Sequence, residues 1–265
     1  MRLGAGLLLA LVLVGPGCAP RGLERAGDGA PIPPARLAAV LSEYNGAPAG
    51  ARVQGRLRLE GRGSAVFGAT AVVGQGLRLD AVSGAFSRPL LSVACTVGGA
   101  CRIYLPEQRR VLVDPAGTWG PWLLDLTRGR LPVMGKAREA RRLADGAEVL
   151  QLSGRGDWLE EVEFAAGAQV PRRAVFSRAG VAELEVELGE YMAVDGQPFP
   201  GAIAVQPGYG APGYRLEFRQ VTPTDTLPAA ALRLEVPPGT AVETLEGTEP
   251  WTTTQLPLWL PAPHR

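Results

Sequence analysis

The sequence predicts a mainly β protein built on one large antiparallel sheet of roughly a dozen strands. Three observations carry that prediction. Gly (35) and Pro (24) are abundant among the 265 residues; both are poor in helix interiors and both mark turns, which disfavours a helical bundle. From Arg52 onward, short apolar runs bounded by Gly, Pro or polar residues follow one another at the spacing of a meander. Several of these runs alternate with period two. Val53, Gly55, Leu57 and Leu59 stand against Arg52, Gln54, Arg56, Arg58 and Glu60. Leu184, Val186 and Leu188 stand against Glu183, Glu185 and Glu187, and Tyr214, Leu216 and Phe218 against Arg215, Glu217 and Arg219. Period two places one set on a buried sheet face and the other on a wet one.

The elements follow in order. Residues 1–17 read as a signal peptide: Arg2 supplies a positive start, Leu3–Val14 is apolar, and Gly15-Pro16-Gly17 ends the run. About a dozen apolar residues is too short to span a bilayer, which needs ~20. A small residue followed by Cys18 resembles the bacterial lipoprotein signal, in which that cysteine is diacylated and becomes the mature N-terminus. Gly15 stands where that signal usually has Leu. Ordinary secretory cleavage is the alternative, and it would leave an unpaired thiol, unusual in an exported protein. Residues 18–34 lack apolar periodicity and read as an acylated cysteine followed by a flexible tether.

Residues 35–45 predict a helix, with Leu37, Val40, Leu41 and Tyr44 on one stripe, Pro33 and Pro34 before it and Gly46 after it. Strands are then expected near 52–60, 65–73, 77–82, 90–95, 101–105 and 110–113. Thr118–Leu131 interrupts them as a second helix carrying Trp119, Trp122, Leu123, Leu126 and Leu131, with Thr118 a possible N-cap and Pro132 a stop. Arg138–Leu143 is read as a short basic turn. Strands resume near 148–152, 158–164, 172–176, 182–188, 202–205, 214–221 and 232–236. The tail, 241–265, holds Trp251, Trp259 and four prolines and is read as irregular, outside the sheet. No repeat of 20–50 residues points to a solenoid or propeller.

Composition narrows the chemistry. With 27 basic and 26 acidic side chains, the chain lacks the basic excess of a nucleic-acid binder. The single histidine, His264, is penultimate, which argues against most zinc sites and histidine-based acid–base schemes. No catalytic residue, metal site or cofactor is therefore assigned. Cys95 and Cys101 flank Thr96-Val97-Gly98-Gly99-Ala100; with Gly98-Gly99 in a hairpin turn they face one another, and an oxidising compartment permits a disulfide. A metal pair and a redox dithiol are weaker readings of the same cysteines. Arg155-Gly156-Asp157 is read as a chance adhesion tripeptide in a hairpin. The acids Asp157, Glu160, Glu161 and Glu163, like Glu183, Glu185 and Glu187, are read as solvated strand faces rather than a cation or hydrolytic site. Lys136, Arg138, Arg141 and Arg142 are read as a solvated helix face, with contact to anionic headgroups as the alternative.

Several stretches carry a family resemblance: Cys18 and its tether, one helix before a meander, Arg78–Phe86, Pro89-Leu90-Leu91, Arg102–Pro106, a helical insertion near Trp122, and Leu232–Gly239 as a strand ending of the form F-x-L-x-x-P-x-G with Leu232 in place of Phe. In that order they resemble the LolB-like outer-membrane lipoproteins of the LolA/LolB lipoprotein-carrier superfamily, over most of residues 35–240. The resemblance implies a half-open β-barrel, a strongly curved antiparallel sheet with helices across its concave face. It also implies a lipid-anchored outer-membrane protein facing the periplasm, and acyl chains of lipid or lipoprotein as partners, bound by a monomer without a cofactor.

Each acyl CH₂ removed from water is worth about 0.8 kcal/mol, so an apolar concave face holds lipid without catalytic groups. The residues expected to line it are Leu57, Leu59, Phe67, Leu79, Leu91 and Ile103 on strands, and Leu37, Leu41, Trp122, Leu123 and Leu126 on helices. Taken singly, each is equally at home in an ordinary core. An envelope scaffold or assembly subunit on the same fold would instead have a concave face filled by side chains, and a hydrolase would need Ser, Asp and Arg converging there.

Overall fold

The computed structural model describes residues 29–245, apart from 61–62, 84–86, 116, 118, 155–156, 168 and 209–212. Cys18, Phe86, Thr118, the Arg155-Gly156 dipeptide, Trp251, Trp259 and His264 thus lie outside the described residues.

The chain opens with β1 (Ala30–Pro31) and α1 (Pro34–Gly46). A meander follows: β2 (Gly50–Leu59), β3 (Gly63–Val72), β4 (Gly76–Ser83), β5 (Pro89–Thr96), β6 (Cys101–Leu105) and β7 (Arg110–Asp114). Then α2 (Trp119–Thr127) leads into a second meander, β8 (Lys136–Arg142), β9 (Glu148–Ser153), β10 (Trp158–Phe164), β11 (Pro171–Arg178) and β12 (Val181–Gly189). The small hairpin β13 (Met192–Val194) and β14 (Gln197–Phe199) precedes β15 (Ala202–Pro207) and β16 (Tyr214–Pro223), and β17 (Ala241–Thr244) comes last.

Fifteen strands form one sheet in the order β1-β8-β9-β10-β11-β12-β15-β16-β2-β3-β4-β5-β6-β7-β17. After β1 and α1 the chain enters mid-sheet at β2, runs out to β7, returns through α2 to β8 beside the β1 edge, and zips back until β16 pairs with β2. The sheet does not close, and every pairing is antiparallel except β7 with β17. The expected mainly β, half-open architecture is the one observed.

The period-two strands behave as read. Val53, Leu57, Ala65 and Phe67 are buried on one face while Arg52, Gln54 and Arg58 are exposed. In β2, Gly55 faces Phe67 and Phe218 in register. A Cβ at Gly55 would collide with the carbonyl oxygen of Glu217 and lie 2.9 Å from the Phe67 ring. The glycine thus makes room for two aromatic rings packed edge to face, 5.9 Å apart.

Four expectations are corrected. Residues 136–142 form strand β8, neither a turn nor a helix face; β1 covers only Arg141 and Arg142 of its outer edge, so polar side chains sit on both sides and hide the alternation. The segment after Pro223 makes a 3-10 turn at Ala229–Leu232 and then runs extended, without joining the sheet where a strand was expected at 232–236; the Arg233 carbonyl instead accepts from Arg78. The tail re-enters the sheet as β17, beside β7, through a long-range parallel pairing that local pattern does not reveal. The acids are not solvated: Glu160, Glu161, Glu163, Glu183 and Glu185 are buried, although Asp157 and Glu187 are exposed. Arginines from other strands cover all of the buried ones except Glu160, which takes backbone amides instead. Arg141 pairs with Glu161, Arg172 with Glu163, Arg173 with Glu185 and Arg178 with Glu183.

Cys95 and Cys101 are disulfide-bonded directly across β5 and β6. Gly98 takes the left-handed conformation that their connecting turn requires (φ +63°). Among the described residues no helix is long and apolar enough to cross a membrane, and no cluster of His, Cys, Asp and Glu is arranged to hold a metal ion.

Candidate functional site

Register aligns apolar side chains into rows across the concave face. One row runs Leu112, Ile103, Val93, Leu79, Ala69, Val53 from β7 to β2. The next runs Leu91, Ala81, Phe67, Gly55, Phe218 from β5 to β16. α1 lies against β8 and β9, and α2 against β3 and β4. Phe199 of the β13–β14 hairpin is fully buried against Phe218, with ring centroids 5.2 Å apart.

Ten of the eleven residues expected on this face belong to one apolar body. Leu37, Leu41, Leu57, Phe67, Trp122 and Leu126 are buried within it, and Leu59, Leu79, Leu91 and Leu123 are half-buried against it. Ile103 sits instead in a second cluster with Cys95, Cys101 and Trp119, because β6 lies four strands from the centre at β2. Leu79, Leu91 and Leu123 touch both clusters and join them. Tyr214 and Leu216 of β16 extend the half-buried rim beside Leu59 and Leu57. Side chains from α1, α2 and the hairpin thus cover the centre of the face, and its accessible apolar surface lies at the rim.

Two surface pockets lie away from it. One of about 510 Å³ sits at the β1–β8 edge among Pro31, Ile32, Arg138 and Arg141. The other, about 370 Å³, lies on the opposite face between Arg78, Asp80, Ser92 and Arg233.

A polar clasp, unmarked by the sequence reading, fastens the two helices together. After α2 the chain turns through Arg128-Gly129-Arg130, and both arginines are buried. Arg128 donates to the carbonyls of Pro48 (2.7 Å) and Asn45 (3.2 Å) and pairs with Asp125 at 2.9 Å. The Arg130 guanidinium stacks 4.4 Å from the centroid of the Tyr44 ring and donates to the Pro198 carbonyl at 3.1 Å. Tyr44 donates to the Gly129 carbonyl at 2.6 Å. Asn45 and Leu131 exchange a pair of hydrogen bonds, and Tyr191 donates to the Pro171 carbonyl beside Tyr44.

Burial dominates the electrostatics. It pushes Asp125 up to about 6 against the pull of Arg128, lowers both arginines and raises the Tyr44 and Tyr191 hydroxyls. The signal that could have pointed here is Asp125-x-x-Arg128 at the end of an apolar helix, the i, i+3 spacing of an ion pair.

Three further acids fix the same elements. Asp114 accepts the Trp119 amide at 2.8 Å and so caps α2. Glu148 of β9 is held by Arg36 of α1 and Arg142 of β8, which lower its pKa. Glu160 faces the apolar side, accepts the amides of Gly135 (2.9 Å) and Met134 (3.1 Å), and is raised by burial. It pins the segment between α2 and β8 over the sheet.

No protein-family model matches the chain, and no curated protein matches its sequence. Solved structures do match in fold. A LolA superfamily protein from Nitrosomonas europaea superposes with a TM-score of 0.52 at 11% identity, covering 77% of this chain and 98% of that one. A DUF1329 family protein from Desulfovibrio piger gives 0.52 at 11%, covering 76% and 95%. A domain described as outer membrane lipoprotein-sorting, from Vibrio parahaemolyticus, gives 0.50 at 11%, covering 74% and 94%. The protein thus has the LolA-type fold, an unclosed sheet with helices on its concave side, as the resemblance in its sequence implied.

Proposed function

We propose that the chain is a lipid-anchored protein of the cell envelope that binds acyl chains on its concave face. Acylated Cys18 holds it at the outer membrane, residues 18–34 act as a tether, and the sheet domain faces the periplasm. The observation that carries this reading is the half-buried apolar rim of Leu59, Leu79, Leu91, Leu123, Tyr214 and Leu216, which is continuous with the buried body beneath α1 and α2. A side chain half in water gains from covering, at about 25 cal/mol per Å² of apolar surface removed. An acyl chain laid along the rim supplies that cover, and it reaches deeper as α1 and α2 ride outward. The likeness to LolA-type structures supports an envelope setting and a carrier role that receives or inserts lipoproteins.

A second reading, an envelope scaffold with the same fold, is favoured by the filling of the central concave face by Leu37, Leu41, Trp122, Leu126 and Phe199. Native mass spectrometry of the Cys18→Ser chain purified from envelopes separates the two. Co-purifying lipid or lipopeptide supports the acyl-binding reading. A lipid-free chain that also fails to take up added lipid supports the scaffold.

A further inference from the structure

Trp122 is the one residue among the eleven concave-face positions that carries a polar atom. Its indole is 2% exposed, and its Nε1–H is buried without a hydrogen-bond partner among the described residues. Buried N–H groups are nearly always paired, because burial without an acceptor forfeits the hydrogen bond that water provided. The apolar side chains buried in the same body are Leu, Ala, Val, Ile, Phe and Trp, and the carboxylate of Glu160, which faces that side, is taken by the Met134 and Gly135 amides. Of the other buried donors nearby, Trp119 on the same helix makes a further interaction of its own. Arg130 also has an unpartnered Nε, but its Nη1 reaches the Pro198 carbonyl and its plane stacks on Tyr44, so the clasp accounts for its place. The indole of Trp122 has a single donor, and nothing in the fold uses it.

Position adds the second half of the argument. Leu123, the next residue, is half-buried and bridges the two apolar clusters together with Leu79 and Leu91. A hydrocarbon chain laid over these three residues runs alongside α2, within the same apolar body as Trp122. A face of hydrocarbon alone senses chain length and branching. It does not distinguish an acyl chain from an alkyl chain, because the two differ only at the carbonyl. A lone donor in dry surroundings does make that distinction, since an unmet hydrogen-bonding group is expensive there and a met one is not.

We propose that the Trp122 indole N–H donates to the carbonyl oxygen at the head of a bound acyl chain, so that the site selects ester- or amide-linked chains over ether-linked chains of the same length. This rests on the acyl-binding reading of the concave face and names the chemistry that the face recognises.

The test uses the Cys18→Ser chain and two phosphatidylglycerols of equal chain length, one diacyl and one dialkyl ether, titrated from detergent and read by native mass spectrometry. A diacylated lipopeptide is the third probe; it and the diacyl phospholipid share the carbonyl, and the tighter of the two identifies the source. The ester lipid is expected to bind about tenfold more tightly than its ether twin, the difference of one hydrogen bond. Trp122→Phe should abolish that preference by weakening the ester lipid alone. The Trp122 indole proton resonance should move downfield with the ester lipid and not with the ether, a readout that requires no variant to fold.

Equal affinity of the wild-type chain for the two lipids would overturn the inference while leaving acyl binding intact. A preference that survives in Trp122→Phe would overturn it as well. Binding of none of the three probes would overturn the acyl-binding reading and this inference together.

Discussion

The guanidinium of Arg130 lies over the ring of Tyr44, 4.4 Å from its centroid, and ties the end of α2's segment to the end of α1. Both residues are almost fully buried, and each also bonds to a backbone carbonyl that the other's segment or the β13–β14 hairpin supplies. The two helices on the concave face are therefore joined by a compact polar knot rather than by apolar contact alone. Arg130→Ala leaves the Pro198 carbonyl without this donor and opens a void beside Tyr44. It is expected to cost about 3 kcal/mol in urea unfolding. Arg130→Lys, which lacks the flat guanidinium, should recover only part of that.

The same knot sets a pH dependence. Asp125 has a folded-state pKa of about 6 against an ordinary 3.8, so between those values the folded chain holds more protons than the unfolded one. Its contribution to stability therefore falls as pH rises from about 4 to about 6. Glu148 runs the other way. Arg142 and Arg36 lower its pKa from 4.5, so its contribution is present above 4.5 and is lost as pH falls through the lowered value. Unfolding measured across pH 3–7 should show the Asp125 slope vanish in Asp125→Asn and the acid-side loss shrink in Glu148→Gln.

Gly55 of β2 and Gly68 of β3 lie one register position apart on paired strands and predict opposite outcomes. Gly55→Ala drives a methyl into the Glu217 carbonyl and the Phe67 ring and should cost about 2 kcal/mol. Gly68 has open space around its Cβ position, and Gly68→Ala should stay within about 0.5 kcal/mol of the parent. Thermal unfolding of the pair decides it.

The Cys95–Cys101 bond closes a short hairpin. Loop-entropy arguments give such a closure about 2 kcal/mol. A Cys95→Ala, Cys101→Ala double variant should therefore fold and lose about that much stability, while lipid uptake at the rim is retained.

Much of this architecture was legible in the sequence because it is written locally. Period two in β2, β12 and β16, and the Leu37-Leu41-Tyr44 stripe of α1, can be read without knowing what packs against them. What escaped reading is what depends on distant partners. Glu161, Glu163, Glu183 and Glu185 look like a wet face until arginines from other strands cover them. β17 is short and wholly exposed, and its parallel partner lies some 130 residues earlier. The clasp joins residues from α1, the end of α2 and the β13–β14 hairpin, three places with no common motif. Among the concave-face residues, position was legible from alternation. The division into two clusters was not, because it depends on where α2 crosses the sheet.

The central claim, that the concave face takes acyl chains at its rim, is tested most directly by a photoreactive fatty acyl probe with its diazirine near the chain end. After illumination and digestion, the account predicts crosslinks concentrated on peptides carrying Leu79, Leu91 and Leu123, competed away by unlabelled lipid. Crosslinks confined to the opposite face or to the β1–β8 edge, or labelling that unlabelled lipid leaves unchanged, would contradict it.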